Sequence, residues 1–198
     1  VNDEKLLRDV IFIIKEGTSL DRPSWYGYSH RPEEKVVDLG CGISKVPGSI
    51  GVDCFQDPLV DVVHDLDVFP YPFGSDTVDA VYLNHCIEHL VDPKRTLTEC
   101  LRIVRPDGNI FITVPHVTNL ASFGDATHRR YFSYRAIPGL ANSVAVDGKK
   151  LGLVKARITA RIPFFGPLIN LSPRFWEDYF CFIITGRALY YRFVVRRS

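Results

Sequence analysis

Apolar positions change their spacing several times along the chain. Over residues 3–16, Leu6, Leu7, Val10, Ile11, Ile13 and Ile14 recur at largely helical intervals, which predicts an amphipathic helix ending near Gly17. Residues 18–35, rich in Pro, Ser, Tyr and charge, read as loop. Four short apolar runs then follow quickly, at 36–39, 50–53, 60–63 and 78–83. Each is bounded by Gly, Pro or Asp, as strands of a parallel sheet buried on both faces are. Asp92-Pro93 offers an N-cap and a proline for the first helical position, so a helix is expected from Pro93 to Val104. Arg105-Pro106-Asp107-Gly108 reads as a turn, and Asn109–Val114 as a fifth strand stopped by Pro115. After a mixed loop, 153–163 alternates polar and apolar residues like a half-exposed antiparallel strand. Residues 173–185 suit a helix and Leu189–Val195 a last strand. The alternation predicts an α/β fold: a Rossmann-like, doubly wound sheet, mostly parallel, with an antiparallel edge strand.

Composition narrows the class without naming a chemistry. The 198 residues suit one domain, and 46% hydrophobic with 24% charged residues is ordinary for a soluble globular chain. No apolar run reaches the roughly eighteen residues of a membrane span, so no transmembrane segment is expected. No basic-then-apolar leader opens the chain. Val1-Asn2-Asp3-Glu4 and the absence of Met read as an interior or trimmed start. Five cysteines at 41, 54, 86, 100 and 181 are scattered and odd in number. They argue for reduced thiols and a cytoplasmic location rather than a disulfide framework or a thiolate metal site. The net charge of +1 hides an asymmetry: residues 149–198 hold ten Lys or Arg against Glu177 and Asp178, an excess of +8 that leaves −7 on the rest. This basic, aromatic-rich quarter is suited to an anionic membrane surface or nucleic acid. A solvated strand face with a charged tail is the plainer reading, and the one preferred here.

The chemistry concentrates at Val36-Val37-Asp38-Leu39-Gly40-Cys41-Gly42, followed eleven residues later by Asp53 in Ile50-Gly51-Val52-Asp53. An apolar run breaking at two glycines lets bare backbone approach a ligand. A carboxylate at the tip of the next strand is suited to the vicinal hydroxyls of a ribose. A dinucleotide would further need a third glycine and a helix N-terminus for its pyrophosphate. Lys45 stands at that third position, and Pro47-Gly48 interrupts any helix before Asp53. S-adenosylmethionine carries no phosphate and tolerates that loss.

Several ordered motifs carry a resemblance at this point. They are Val-Val-Asp-Leu-Gly-Cys-Gly, Ile-Gly-Val-Asp, His64-Asp65-Leu66, Phe69 to Phe73, Asp76-Thr77-Val78-Asp79, His85 to Leu90 and Leu101 to Gly108. In that order, over residues 36–135, the chain resembles class I S-adenosylmethionine-dependent methyltransferases of the branch with a shortened first helix. The resemblance implies S-adenosyl-L-methionine as cofactor. It implies that Asp38, Gly40, Cys41 and Gly42 form the loop around the methionine portion, and that Asp53 takes the ribose hydroxyls. Asp65 and Leu66 would meet the adenine, and Asn84 and His85 would lie beneath the methionine and sulfonium. The sequence departs from the family where glycine often stands in place of Ile43 to Lys45, and at Asp107-Gly108, where Gly-Gly is usual. On this reading residues 1–35 are an N-terminal helix and loop, 36–114 the cofactor core, and 115–198 acceptor loops and C-terminal strands.

A hydroxyl acceptor must lose a proton, and histidine does that work near neutral pH. The candidates are His85, His116 and His128, the last two at or beyond strand ends where substrates of open α/β sheets bind. His85, Glu88 and His89 also have i, i+3, i+4 spacing, which with His128 or His116 could hold a divalent metal. This faintly resembles small-RNA 2′-O-methyltransferases and some quinone O-methyltransferases. Glu-His-Leu also packs and caps a helix in relatives without metal, and no metal is assigned here. Phe123, Tyr131, Phe132 and Tyr134 are candidates for one wall of an acceptor pocket. The expected function is methyl transfer to a small-molecule or lipid- or sugar-type acceptor. A nucleic-acid methyltransferase or binder, and a non-catalytic partner protein keeping the fold, are the alternatives. No Asn/Asp-Pro-Pro-Tyr/Phe motif supports the nucleic-acid reading, because the fourth apolar run ends in Asn84-His85-Cys86-Ile87.

Overall fold

The computed structural model describes residues 31–197, so the helix expected over 3–16 lies outside the described residues. Four strands follow the four apolar runs: β1 Val36–Leu39, β2 Ile50–Asp53, β3 Val62–Val63 and β4 Val78–Asn84. Helix α1 spans Pro93–Ile103, with Asp92 accepting the Arg95 N–H at 3.0 Å as the N-cap. Strand β5, Val104–Pro115, begins earlier than expected. The predicted turn at Arg105–Gly108 lies inside it: β4 pairs at Val78 with Val104 and next at Ala80 with Asn109. The intervening residues bulge, with Asp107 at φ +64°.

Helices α2 Ala121–Gly124 and α3 Ala136–Asn142 and the short strand β6 Ala145–Val146 occupy the stretch expected as loop. Strand β7 is Lys149–Ala160 and β8 is Gly186–Arg197. Between them a 3-10 turn, Pro163–Phe165, leads into α4, Gly166–Leu171, and α5, Pro173–Tyr179. The helix expected over 173–185 is thus shorter, and α4 precedes it.

All eight strands of the described residues form one sheet in the order β3-β2-β1-β4-β5-β8-β7-β6. The first five run parallel, and β8 and β7 complete the sheet antiparallel. The antiparallel part is therefore broader than one edge strand, with β8 interior between β5 and β7. One large core packs α1 (through Leu97, Cys100, Leu101 and Ile103) against Val81, Leu83, Ile110 and Ile112 of the central strands. A smaller cluster gathers Tyr82, Phe111 and Tyr190, with Tyr82 and Phe111 stacked at 4.5 Å. Lys149, buried at the start of β7, gives its ammonium to Asp76 and to the carbonyls of Arg102 and Val104, locking β7 beneath α1. Because the central strands are parallel, their C-terminal ends share one edge. Strand β7 ends and β8 begins at that edge too, so the 161–185 excursion sits there with the loops after β1, β2 and β4.

Candidate cofactor and acceptor site

The loop after β1 is built by two carboxylates. Asp38, fully buried in β1, accepts the Val46 N–H through Oδ2 at 2.8 Å. Asp53, at the tip of β2, accepts the Gly42 N–H through Oδ2 and the Cys54 N–H through Oδ1, each at 2.8 Å. The Gly40 and Cys41 N–H groups reach back to the Val52 carbonyl. Gly40 and Gly42 have φ of +69° and +52°, the left-handed region that glycine enters without steric cost. A Cβ on Gly40 would lie 2.5 Å from the Cys86 sulfur, so the bend presses directly on the turn after β4. Cys41 is buried, and burial, then the Asp38 and Asp53 charges, push its thiol up to about 12. It stays a neutral, unreactive lining group.

After β3, Asp65 is exposed and caps a turn by accepting the Asp67 N–H at 2.9 Å. Leu66 is buried, and its carbonyl accepts the Tyr71 hydroxyl at 3.0 Å. At the end of β4, the Asn84 side-chain oxygen accepts the Thr113 hydroxyl at 3.3 Å. His85 follows at φ +48°, an uncommon conformation for a side-chain-bearing residue, with its N–H on the Thr113 carbonyl. Its Nδ1 lies 3.3 Å from Glu88 Oε1.

The three histidine candidates have different surroundings. His116 is fully buried against Trp176, and the Thr118 N–H donates to its Nδ1 at 3.1 Å. Its Nε2 faces Glu177 Oε1 at 3.4 Å. Glu177 also accepts the Tyr134 N–H, so this histidine ties β5 to α5 and turns no nitrogen outward. His128 gives its Nδ1–H to the Ser122 carbonyl at 2.8 Å and stacks edge-on against His89. Burial holds the His89 pKa below the usual histidine range. His85 alone stands directly at the end of β4. The spacing of His85, Glu88 and His89 had suggested a helix face, but Ile87 to His89 form a turn instead. The tertiary fold brings Glu88 and His89 together with His128 rather than with His116. Sequence reasoning missed Thr127 and Glu177, which hold His89 and His116; an Asx turn at Asp125 was the only local signal for Thr127.

A family model described as a methyltransferase domain matches residues 37–112. The matched stretch thus resembles a methyltransferase domain, and the fold around it is the α/β Rossmann-like fold of S-adenosylmethionine-dependent methyltransferases. A ubiquinone biosynthesis O-methyltransferase of Proteus mirabilis is 29% identical over 40% of this chain and 41% of its own length. A demethylmenaquinone methyltransferase of Renibacterium salmoninarum is 25% identical over 70% of this chain and 57% of its own. The chain thus spans about half the length of these curated relatives. A Thermotoga maritima S-adenosylmethionine-dependent methyltransferase superposes with a TM-score of 0.62, covering 96% of this chain and 95% of that one at 14% identity, which shows the shared fold.

The domain's geometry fits this cofactor better than a dinucleotide. Residues 40–49 make only turns between β1 and β2, so no helix N-terminus stands where a pyrophosphate would sit. Among the described residues no helix is long and apolar enough to cross a membrane. The antiparallel side instead ends in an apolar surface. Helices α4 and α5 bury Ile169 and Trp176 but turn Leu168, Leu171, Phe175 and Tyr179 outward. Phe164 and Phe182 are each 83% exposed, with Arg161 and Arg174 exposed among them. All five cysteines are free thiols, four of them buried.

Proposed function

We propose that this chain transfers a methyl group from S-adenosylmethionine to a small, apolar, hydroxyl-bearing acceptor that it meets at an anionic lipid surface. The cofactor supplies an electrophilic methyl group on a sulfonium. Asp53 is the residue for the ribose hydroxyls, since each carboxylate oxygen retains a lone pair beyond its backbone bond. Gly40, Cys41 and Gly42 offer backbone to the amino-acid end, with Asp38 holding the loop's far side. Asp65 and Leu66 are assigned to the adenine, Asn84 and His85 to the space under the reacting centre.

His85 is the proton acceptor in this reading. Glu88 Oε1 faces Nδ1 and orients the ring, which leaves Nε2 to take the acceptor's proton. His116 serves as a core brace, and His128 belongs to a separate cluster.

The observation that carries the acceptor class is the apolar skirt of 162–183, which shares the sheet edge with the glycine bend. Exposed Phe and Leu among arginines match an interface in which rings enter the acyl boundary and cations meet lipid phosphates. The Proteus and Renibacterium relatives are named for ubiquinone and demethylmenaquinone, apolar compounds of the kind such an interface serves. A vesicle experiment tests the reading. The protein is mixed with phosphatidylglycerol vesicles carrying a cellular lipid extract and methyl-labelled S-adenosylmethionine, then floated. The protein is expected to rise with the vesicles, with label in the solvent-extractable fraction. Label in nucleic acid or protein, or a chain that stays at the bottom of the gradient, overturns it.

A further inference from the structure

Glu88, His89 and His128 come together from two loops 39 residues apart, and each offers one ligand atom within 4.8 Å of the others. Hydrogen bonds to each of the three residues hold the grouping in place. The Arg129 and Arg130 N–H groups bond the Glu88 carbonyl at 2.9 and 3.2 Å, which ties the 125–130 loop to the turn after β4. His128 can only donate from Nδ1 to the Ser122 carbonyl, so its Nε2 carries the lone pair. Thr127 donates its hydroxyl proton to Asp125 Oδ1 at 2.6 Å and so accepts from His89 Nδ1 at 2.9 Å. That relay also leaves the His89 lone pair on Nε2. Backbone carbonyl and carboxylate-linked partners of this kind orient metal-binding histidines.

The carboxylate supplies an independent sign. Glu88 is 1% exposed, and its Oε2 is buried with no hydrogen-bond partner, while Oε1 faces His85. A buried carboxylate oxygen left bare keeps its full desolvation penalty unless something cationic meets it.

We propose that Glu88, His89 and His128 form a binding site for one divalent transition-metal ion, with zinc the best match. Two neutral imidazoles and a carboxylate are a donor set that zinc takes in open sites, with water or substrate completing the coordination. Asp125 Oδ2 lies 3.8 Å from His128 Nε2 and is a further oxygen beside the site. The site goes beyond the methyl-transfer reading, and its test does not depend on it.

The full chain, stripped with chelator, is titrated calorimetrically with Zn²⁺ alone, and cobalt loading is followed by its visible absorption. One saturable ion per chain is expected, with a four-coordinate cobalt spectrum. Glu88→Gln and His128→Asn should each abolish that spectrum. Thr127→Val, at an exposed position, should weaken zinc about 10–100-fold by releasing the His89 ring without touching a ligand. Circular dichroism and thermal denaturation of the same samples report whether each variant is folded, independently of S-adenosylmethionine binding, and keep the two proposals separable. Absent saturable binding in the unaltered chain, or binding unchanged in Glu88→Gln, His128→Asn and Thr127→Val, overturns the assignment.

Discussion

Gly40→Val is expected to lower stability by about 2–5 kcal/mol and to abolish S-adenosylmethionine binding. Two costs add. A β-branched residue forced to φ +69° costs about 1–2 kcal/mol, because its Cβ crowds its own carbonyl. The new Cβ would also lie 2.5 Å from the Cys86 sulfur and 2.8 Å from its Cβ, a collision inside a packed core worth about 1–3 kcal/mol. Neither neighbour can retreat freely, since Cys86 sits in the turn after β4 and the Gly40 N–H is bonded to Val52. For a domain of this size the change corresponds to a melting temperature roughly 5–15 °C lower. Thermal denaturation followed by circular dichroism measures it. Gly48, at φ +78° with nothing within 4 Å of an added Cβ, is the control: the same substitution there should cost only the backbone term.

The second large effect falls on chemistry rather than folding. His85→Asn should reduce kcat about 10²–10⁴-fold while leaving the cofactor dissociation constant and melting temperature in place. Asparagine tolerates the left-handed backbone at this position, so φ +48° is not a source of damage. It cannot take a proton from a hydroxyl. Single-turnover kinetics at saturating cofactor separate the two quantities. Equal kcat in both proteins would remove His85 from the reaction, and loss of cofactor affinity alone would make it a binding residue.

The parts of the fold legible in the sequence were those written in local signals. An apolar run closed by glycine marks β1, and Asp92-Pro93 marks the start of α1 within one residue of where it lies. The misses have physical causes. Pro138 and Gly139 interrupt the helical pattern of α3, though tertiary packing overrides them, and α4, at six residues, is too short to show a helical period. The tetrapeptide Arg105–Gly108 carries turn chemistry, yet the sheet absorbs it as a bulge because Val104 already pairs with Val78. The insertion of β8 between β5 and β7 is non-local and leaves no periodic trace.

The candidate site divides in the same way. Asp53 lies at a strand tip, where its spacing from Gly42 put it. The bond between that carboxylate and the Gly42 N–H is a tertiary fact that no spacing rule contains. His116 and His128 looked alike as residues beyond a strand end. Their difference comes from α5 covering one and the 125–130 loop presenting the other. The contact of His89 with His128 spans 39 residues and required the fold to be seen. The basic C-terminal quarter likewise resolves only in three dimensions: Lys149 is buried as a structural cation, whereas Arg161 and Arg174 stand in the apolar skirt.

Calorimetric titration of S-adenosylmethionine into the unaltered chain and into Asp53→Ala tests the central assignment most directly. Removing the carboxylate deletes the acceptor for the ribose and for the Gly42 N–H together, a loss of about 1–3 kcal/mol for a charged hydrogen-bonding partner. The expected result is saturable binding by the unaltered chain, weakened about 10–100-fold in Asp53→Ala. Identical affinity in the two proteins, or binding of NAD in preference to S-adenosylmethionine, would contradict it.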